Sequence, residues 1–313
     1  MKIDTHIHFG GSIPTQTIWE IIQENKLYEL AGTQKEVEEG MIFEGGGFEG
    51  FLDKFKILDE IEWNEEILDK TIKAVSDTFE DLDFVWLDFS INKYLRYMKM
   101  SKYELIQFFH DKFKEYSKSE VALVLSIKYE SLDASKRSYM KLIEEEKIAN
   151  LIAGIDLVGD ESRFEISDFD GLKPWYEAGK MVRLHVGEMG HDDHVIGALR
   201  NLPITNIAHG IDIIRDMEAI KIAKDKDIQF DLALTSNLKI REMKNMEEHP
   251  ISIMDQFGLK LTLGSDDPVV FKTNLDNEFA LINDELAKKC QGQSLKFCQK
   301  FGYLLDAVSI ADN

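Results

Sequence analysis

The sequence predicts a single (β/α)8 barrel, an α/β fold of the TIM type, over residues 1–313. Three observations lead there. Short β-branched runs alternate with longer stretches of helical period from one end to the other. The runs number eight, the count that such a barrel requires. No low-complexity linker or short internal repeat divides the chain, and a hydrophobic share of 44% is ordinary for a full core.

Taken in order, the first run covers residues 2–8 and carries the motif HIHFGG at its end. The second covers 83–90. Between them lies the longest gap, residues 9–82, with the glycine-rich EGGGFEG ahead of FLDKFKILDE. A helical insertion of that length belongs over the barrel mouth and is a candidate lid. The third run is EVALVLSI at 120–127. It follows SKYELIQFFHDKFKEY, where Ser101 and Glu104 have capping-box spacing. The fourth to seventh are LIAGIDLV (151–158), KMVRLHV (180–186), ITNIAH (204–209) and DIQFDLAL (227–234). HPISIMDQFG then reads as a short helix, with Pro250 near its start and Gly258 at its end. The eighth run covers 259–265.

Composition narrows the function. The formal charge of −21 repels polyanions, and no Lys/Arg stripe offers a phosphate backbone a footing, so nucleic acid is not an expected partner. A small neutral or cationic substrate suits that surface better. No run approaches the 18 apolar residues of a spanning helix, and the N-terminus has no leader pattern, so a cytoplasmic protein without a membrane partner is expected. Cys290 and Cys298, with seven residues between them, fit neither a zinc ribbon nor a redox pair. They read as idle thiols.

Chemistry in such a barrel sits at the C-terminal ends of the strands. His6 and His8 lie two apart, so on a strand both imidazoles share one face and can converge on one metal ion. Alone, that pair is weak. HVGEMG adds His185 at the end of the fifth run with Glu188 in the loop, although an isolated His-x-x-Glu is common by chance. AHG puts His209 at the end of the sixth. TLGSDDP puts Asp266 and Asp267 just past the eighth, and adjacent buried carboxylates are costly without a cation or donors nearby. Four strand ends thus bring His or Asp to one mouth. Three histidines and a carboxylate suit zinc, whose catalytic sites leave a position open for water.

With these stretches in hand, the chain resembles the adenosine deaminase family of metal-dependent amidohydrolases along nearly its whole length. The matching segments run in order: THIHFGGSI, FLDKF, IDLVGDE, HVGEMG, AHG, then HPI and LKLTLGSDDPVVF. The resemblance implies one Zn2+ per chain, held by His6, His8, His185 and Asp266. It implies that Glu188 donates a proton to purine N1, and that His209 holds and helps deprotonate the attacking water. Asp267 would bond N7, the backbone of Gly159 would face N3, and Phe51 and Phe55 would form an apolar flap. The implied reaction converts adenosine or 2′-deoxyadenosine to the inosine product and ammonia.

Three departures qualify it. Gly10 stands where many adenosine-specific members place an acid for the ribose 5′-hydroxyl, and Asp53 or Glu49 in the insertion could replace it. Asp88 occupies the place of an arginine in WLDFSIN, and Leu234 that of a proline in ALTSN. The alternatives are therefore a deaminase of adenine, of a 5′-modified adenosine or of another aminated ring, and a nucleoside-binding protein without catalysis. The intact Glu188 and ligand set speak against the last. His191 and His194 in GHDDHV, at helical spacing, read as a solvated face.

Overall fold

The computed structural model describes residues 1–129, 141–164 and 170–303; residues 304–313 of the predicted unit lie outside them. Eight parallel strands follow one another in sequence order: β1 (Ile3–His8), β2 (Phe84–Phe89), β3 (Glu120–Lys128), β4 (Gly154–Val158), β5 (Met181–Val186), β6 (Asn206–His209), β7 (Gln229–Leu232) and β8 (Lys260–Leu263). Beyond β8 the chain closes on β1. His8 N–H donates to Asp266 O and Asp266 N–H to His6 O, each at 2.8 Å. Each of the eight expected runs is a strand, and helices between them complete a (β/α)8 barrel.

Local sequence explains the elements. The helix Lys102–Tyr116 begins at Ser101, whose hydroxyl accepts from Glu104 N–H while the Glu104 carboxylate accepts from Ser101 N–H, the expected capping box. It buries Leu105, Ile106, Phe109 and Phe113 at helical spacing. Pro250 opens the helix Ile251–Gln256, and Gly258 follows it with a φ of +71°, a conformation that ends helices and favours glycine. Strands are buried on both faces, as parallel strands covered by helices must be.

The long first connection forms helices at Thr15–Asn25, Gln34–Met41, Gly47–Leu52, Lys56–Asp59 and Glu65–Thr78. The last of these packs against Lys102–Tyr116 as an ordinary barrel helix, and Gly47–Leu52 lies over the mouth. At the opposite end, the helix Asp284–Lys300 buries Phe297 and Cys298 against Ile3, Phe84, Trp86, Val124 and Met181. Both cysteines are buried and their thiols pushed up to about 12 by burial, which matches idle thiols. Among the described residues no helix is long and apolar enough to cross a membrane.

Candidate active site

β1 is not a regular strand. Its pairing with β2 slips by one residue between Asp4 and Ile7, a bulge that re-aims side chains at the barrel mouth. The Asp4 carboxylate accepts from Ser265 Oγ (2.6 Å) and from the backbone N–H of His6 and Ser265, which pins the end of β8 beside β1. His6 Nε2 then lies 3.0 Å from His8 Nε2 and 3.1 Å from His185 Nε2. Asp266 Oδ1 lies 3.3 Å from His8 Nε2 and 3.7 Å from His6 Nε2. A tetrahedral ion with bonds of 2.0–2.1 Å sets its ligands about 3.3 Å apart, so these four contacts suit a zinc-sized cation, and His209 also lies within 4.8 Å of the His6, His185 and Asp266 atoms.

The donor chemistry fits as well. Burial, reinforced by neighbouring positive groups, pushes His6 well below the usual histidine range and His8 down to about 3, so both rings are neutral and offer lone pairs. His6 Nε2 faces two other ring nitrogens, and one N–H cannot satisfy both contacts. A cation at the centre removes that conflict.

His209 and Asp266 both have a φ of +60°, a left-handed backbone that costs about 1–2 kcal/mol in a residue with a side chain. Their rigid surroundings hold them there. His209 is also fixed through its far nitrogen. Ile251 N–H donates to His249 Nδ1 (3.1 Å), leaving the proton of that buried, neutral ring on Nε2. His249 Nε2–H donates to Asn237 Oδ1 (3.3 Å), and Asn237 Nδ2 donates to His209 Nδ1 (3.0 Å). The proton of neutral His209 therefore sits on Nε2, 3.6 Å from Glu188 Oε1.

Glu188 is buried, its Oε1 has no hydrogen-bond partner among the described residues, and burial with Asp266 and Glu161 raises its carboxyl well above the usual range. Its loop is held by Glu161, whose carboxylate accepts the backbone N–H groups of Gly187, Glu188 and Met189 at 2.6–3.1 Å. Arg241 Nη1 donates to Glu188 O (2.6 Å) and to Asp212. His194 Nδ1 lies 3.5 Å from Glu161 Oε1 without a hydrogen bond, and its ring stacks on His191; both rings are half-buried and lie outside the cavity. Asp267 is buried, with Oδ1 unpartnered and its carboxyl raised well above the ordinary range by burial and by Asp266. Gly11 makes room for it: a Cβ there would fall 1.8 Å from Asp267 Oδ1. Gly11→Ala is expected to push Asp267 aside and lower kcat/KM about 100-fold, checked by steady-state kinetics.

A cavity of about 490 Å³ opens over these groups. His8, His185, Glu188, His209, Asp266, Asp267, Gly159, Phe51 and Phe55 all line it, and His6 lies just beneath. Gly159, at a φ of +110°, leaves bare main chain on the wall. Phe51 stacks on Phe271 and meets Phe55 edge-on, which makes the apolar side of the mouth. Asp53 and Glu49 do not replace the acid missing at Gly10: both are exposed away from the cavity, and Asp53 pairs with Lys56 at 2.8 Å.

The arginine missing at position 88 has a counterpart. Arg183, fully buried on β5, donates through Nη2 to Asp88, through Nε to Asp156 Oδ2 (2.8 Å) and through Nη1 to Thr5 O (2.7 Å). Asp231 Oδ2 lies 3.4 Å from Nη1. The other Asp156 oxygen holds His185 Nδ1 at 3.1 Å, turning Nε2 toward His6. Burial alone would raise Asp156, but Arg183 and His185 outweigh it and hold it below the usual range. Arg183, Asp156, Glu161, Asn237 and His249 were not among the expected site residues.

The family model described as adenosine deaminase matches residues 1–292. An adenosine deaminase of Clostridium perfringens is 27% identical over 294 residues, covering 89% of this chain and 86% of the relative. One from Clostridium botulinum is 25% identical over 290 residues, covering 90% and 86%. Among solved structures, an adenine deaminase from Arthrobacter aurescens has a TM-score of 0.75 at 18% identity, covering 95% of this chain and 99% of its own. The N6-methyl-AMP deaminase from Arabidopsis thaliana has a TM-score of 0.78 at 18% identity, covering 97% and 92%. These structural likenesses establish the barrel. The family match over most of the chain establishes more: the chain belongs to the adenosine deaminase family, hydrolases of C–N bonds in cyclic amidines.

Proposed function

We propose that the protein is a zinc-dependent deaminase of an adenine-containing compound, most simply adenosine or 2′-deoxyadenosine, with one zinc ion per chain. The observation that carries this reading is the meeting of three imidazole nitrogens and one carboxylate oxygen, 3.0–3.7 Å apart where contacts are direct, beside an unpartnered Glu188. His6, His8, His185 and Asp266 would hold the ion. When bound, zinc supplies the Lewis acidity that makes water ionisable near neutrality.

The chain's own groups divide the remaining work. Glu188 carries a proton because its carboxyl is raised, and it delivers that proton to purine N1, so attack at C6 builds no negative charge on the ring. Purine N7 accepts hydrogen bonds and cannot donate. Asp267, kept protonated by burial and by Asp266, is therefore the matching donor. The N–H of Gly159 faces N3. His209, its proton fixed on Nε2, donates to the water oxygen and orients it toward C6. In that tautomer His209 orients the water, and it helps remove a proton only after passing its own on. Phe51 and Phe55 close over the ring and exclude bulk water. Collapse of the tetrahedral carbon to the carbonyl releases ammonia: of the attacking water's two protons, one leaves on the amino group and the other returns to Glu188.

Purified protein is expected to carry one equivalent of zinc by elemental analysis. It is also expected to convert at least one of adenine, adenosine, 2′-deoxyadenosine, a 5′-modified adenosine and adenosine monophosphate, with loss of the adenine ultraviolet band. No turnover across that panel by the zinc-loaded protein would overturn the reading.

A further inference from the structure

We propose that the outer part of the cavity is an anion subsite, built by Lys93, Arg96 and Lys128, that takes the 5′-phosphate of a purine nucleoside monophosphate. The inference rests on the purine reading of the inner site and names the class of substrate that enters it.

Charge distribution is the first support. The chain carries 58 acidic against 37 basic residues, yet three cations line one side of one cavity. The acids at the inner end belong to the inner site: Asp88 pairs with Arg183 and Asp266 with His8, Glu188 lies beside His209, and Asp267 follows Asp266 in the chain. Among the described lining residues that leaves Asp59 as the one acid facing the cations, and it is bound to Lys93 at 2.9 Å. Among the described residues Arg96 and Lys128 pair with no carboxylate. The Arg96 guanidinium lies 5.4 Å over the Tyr97 ring and Lys93 Nζ 5.8 Å from the Trp63 ring, contacts that position a charge without neutralising it. Burial, with a further contribution from Lys128, lowers the Lys93 ammonium, so these two like charges feel one another across the cavity wall. An anion between them relieves that repulsion.

Placement is the second support. Lys93 and Arg96 follow β2 and Lys128 ends β3, the two strands next in order to β1, which ends beside Gly10. Gly10 brings no carboxylate, and the Phe55 ring would lie 3.7 Å from a Cβ placed there. A neutral 5′-hydroxyl gains from an acid at that place, whereas a phosphate dianion would be repelled by one. The missing acid and the added cations select the same partner. The third support is Ser126. It is buried, its Oγ has no hydrogen-bond partner among the described residues, and it lines the cavity two residues before Lys128. A ribose or phosphate oxygen would satisfy it.

The experiment compares adenosine 5′-monophosphate with adenosine in the zinc-loaded wild type and in Arg96→Gln/Lys128→Met. In parallel, the binding of inosine 5′-monophosphate and of inosine is measured by calorimetry. The wild type is expected to favour the monophosphate in kcat/KM and to bind inosine 5′-monophosphate more tightly than inosine. The double variant is expected to lower both preferences about 10- to 100-fold, the loss expected for charge-assisted bonds. A wild type that favours adenosine, or preferences unchanged in the variant, would overturn the subsite while leaving the deaminase reading in place. Tight, variant-sensitive binding of inosine 5′-monophosphate without any deamination would support the subsite and overturn the deaminase reading instead.

Discussion

Replacing Glu188 by glutamine is expected to lower kcat about 1000-fold while leaving the zinc content at one per chain. The side chain keeps its size, so the loop held by Glu161 and Arg241 has no reason to move. The amide cannot give N1 a proton, and general acid catalysis of this kind contributes about 10²–10⁴-fold. The same assignment fixes the sign of a pH effect. Glu188 works only with its proton on, and its carboxyl is raised by burial, so wild-type kcat should fall as pH rises through the raised value. The glutamine variant has no such proton to lose, and its residual rate should lack that alkaline limb. Stopped assays over a pH series with metal analysis decide the point. A variant as active as wild type would remove Glu188 as the acid.

The second large effect is structural. Arg183→Met is expected to cost about 3–5 kcal/mol of stability, read from urea unfolding, because it leaves buried carboxylates without their cation. Asp88, Asp156 and Asp231 all converge on that guanidinium. Without it, Asp156 loses the cation that holds it low and burial carries it above its unfolded value, joining Asp88, which burial already raises. The folded variant then binds more protons than the unfolded chain between the two sets of values, so its stability should rise as pH is lowered toward about 5. Adding Asp88→Arg, which puts the charge back on β2, should recover part of the loss. A fully stable Arg183→Met protein would show that the cluster is not held by this charge.

Much of this was readable beforehand, for definite reasons. The strands announced themselves because each is a short β-branched run buried on both faces, and parallel strands need such runs. His6, His8, His185 and Asp266 were visible because strand ends converge by construction in a barrel. The Arg183 cluster was not visible: its partners come from β2, β4 and β7 and meet only across the barrel interior. Glu161 was visible only as the last residue of IDLVGDE, and its grip on the Glu188 loop depends on three backbone N–H groups that carry no sequence signature. His249 was noticed for its HPI context, but its bond to Asn237 and the resulting tautomer of His209 required coordinates. Asp53 and Glu49 illustrate the reverse error. Nearness in sequence to the lid said nothing of which way a helical side chain turns, and both turn to solvent.

The closure of the barrel has a consequence for the order in which the protein can be made. Thr5 Oγ1 meets Thr262 Oγ1 across 257 residues of chain, and the aromatic floor is sealed only by the helix that ends at Lys300. A ribosome delivers the first strand long before either partner exists. Until then β1, with His6 and His8 already in place, has one unpaired edge, and Phe84 and Trp86 face water at the open end. A chain stalled before residue 260 should therefore be sticky and lack Asp266, which the proposed metal site needs, whereas a chain carried past Lys300 gains that carboxylate, its closed edge and its floor together.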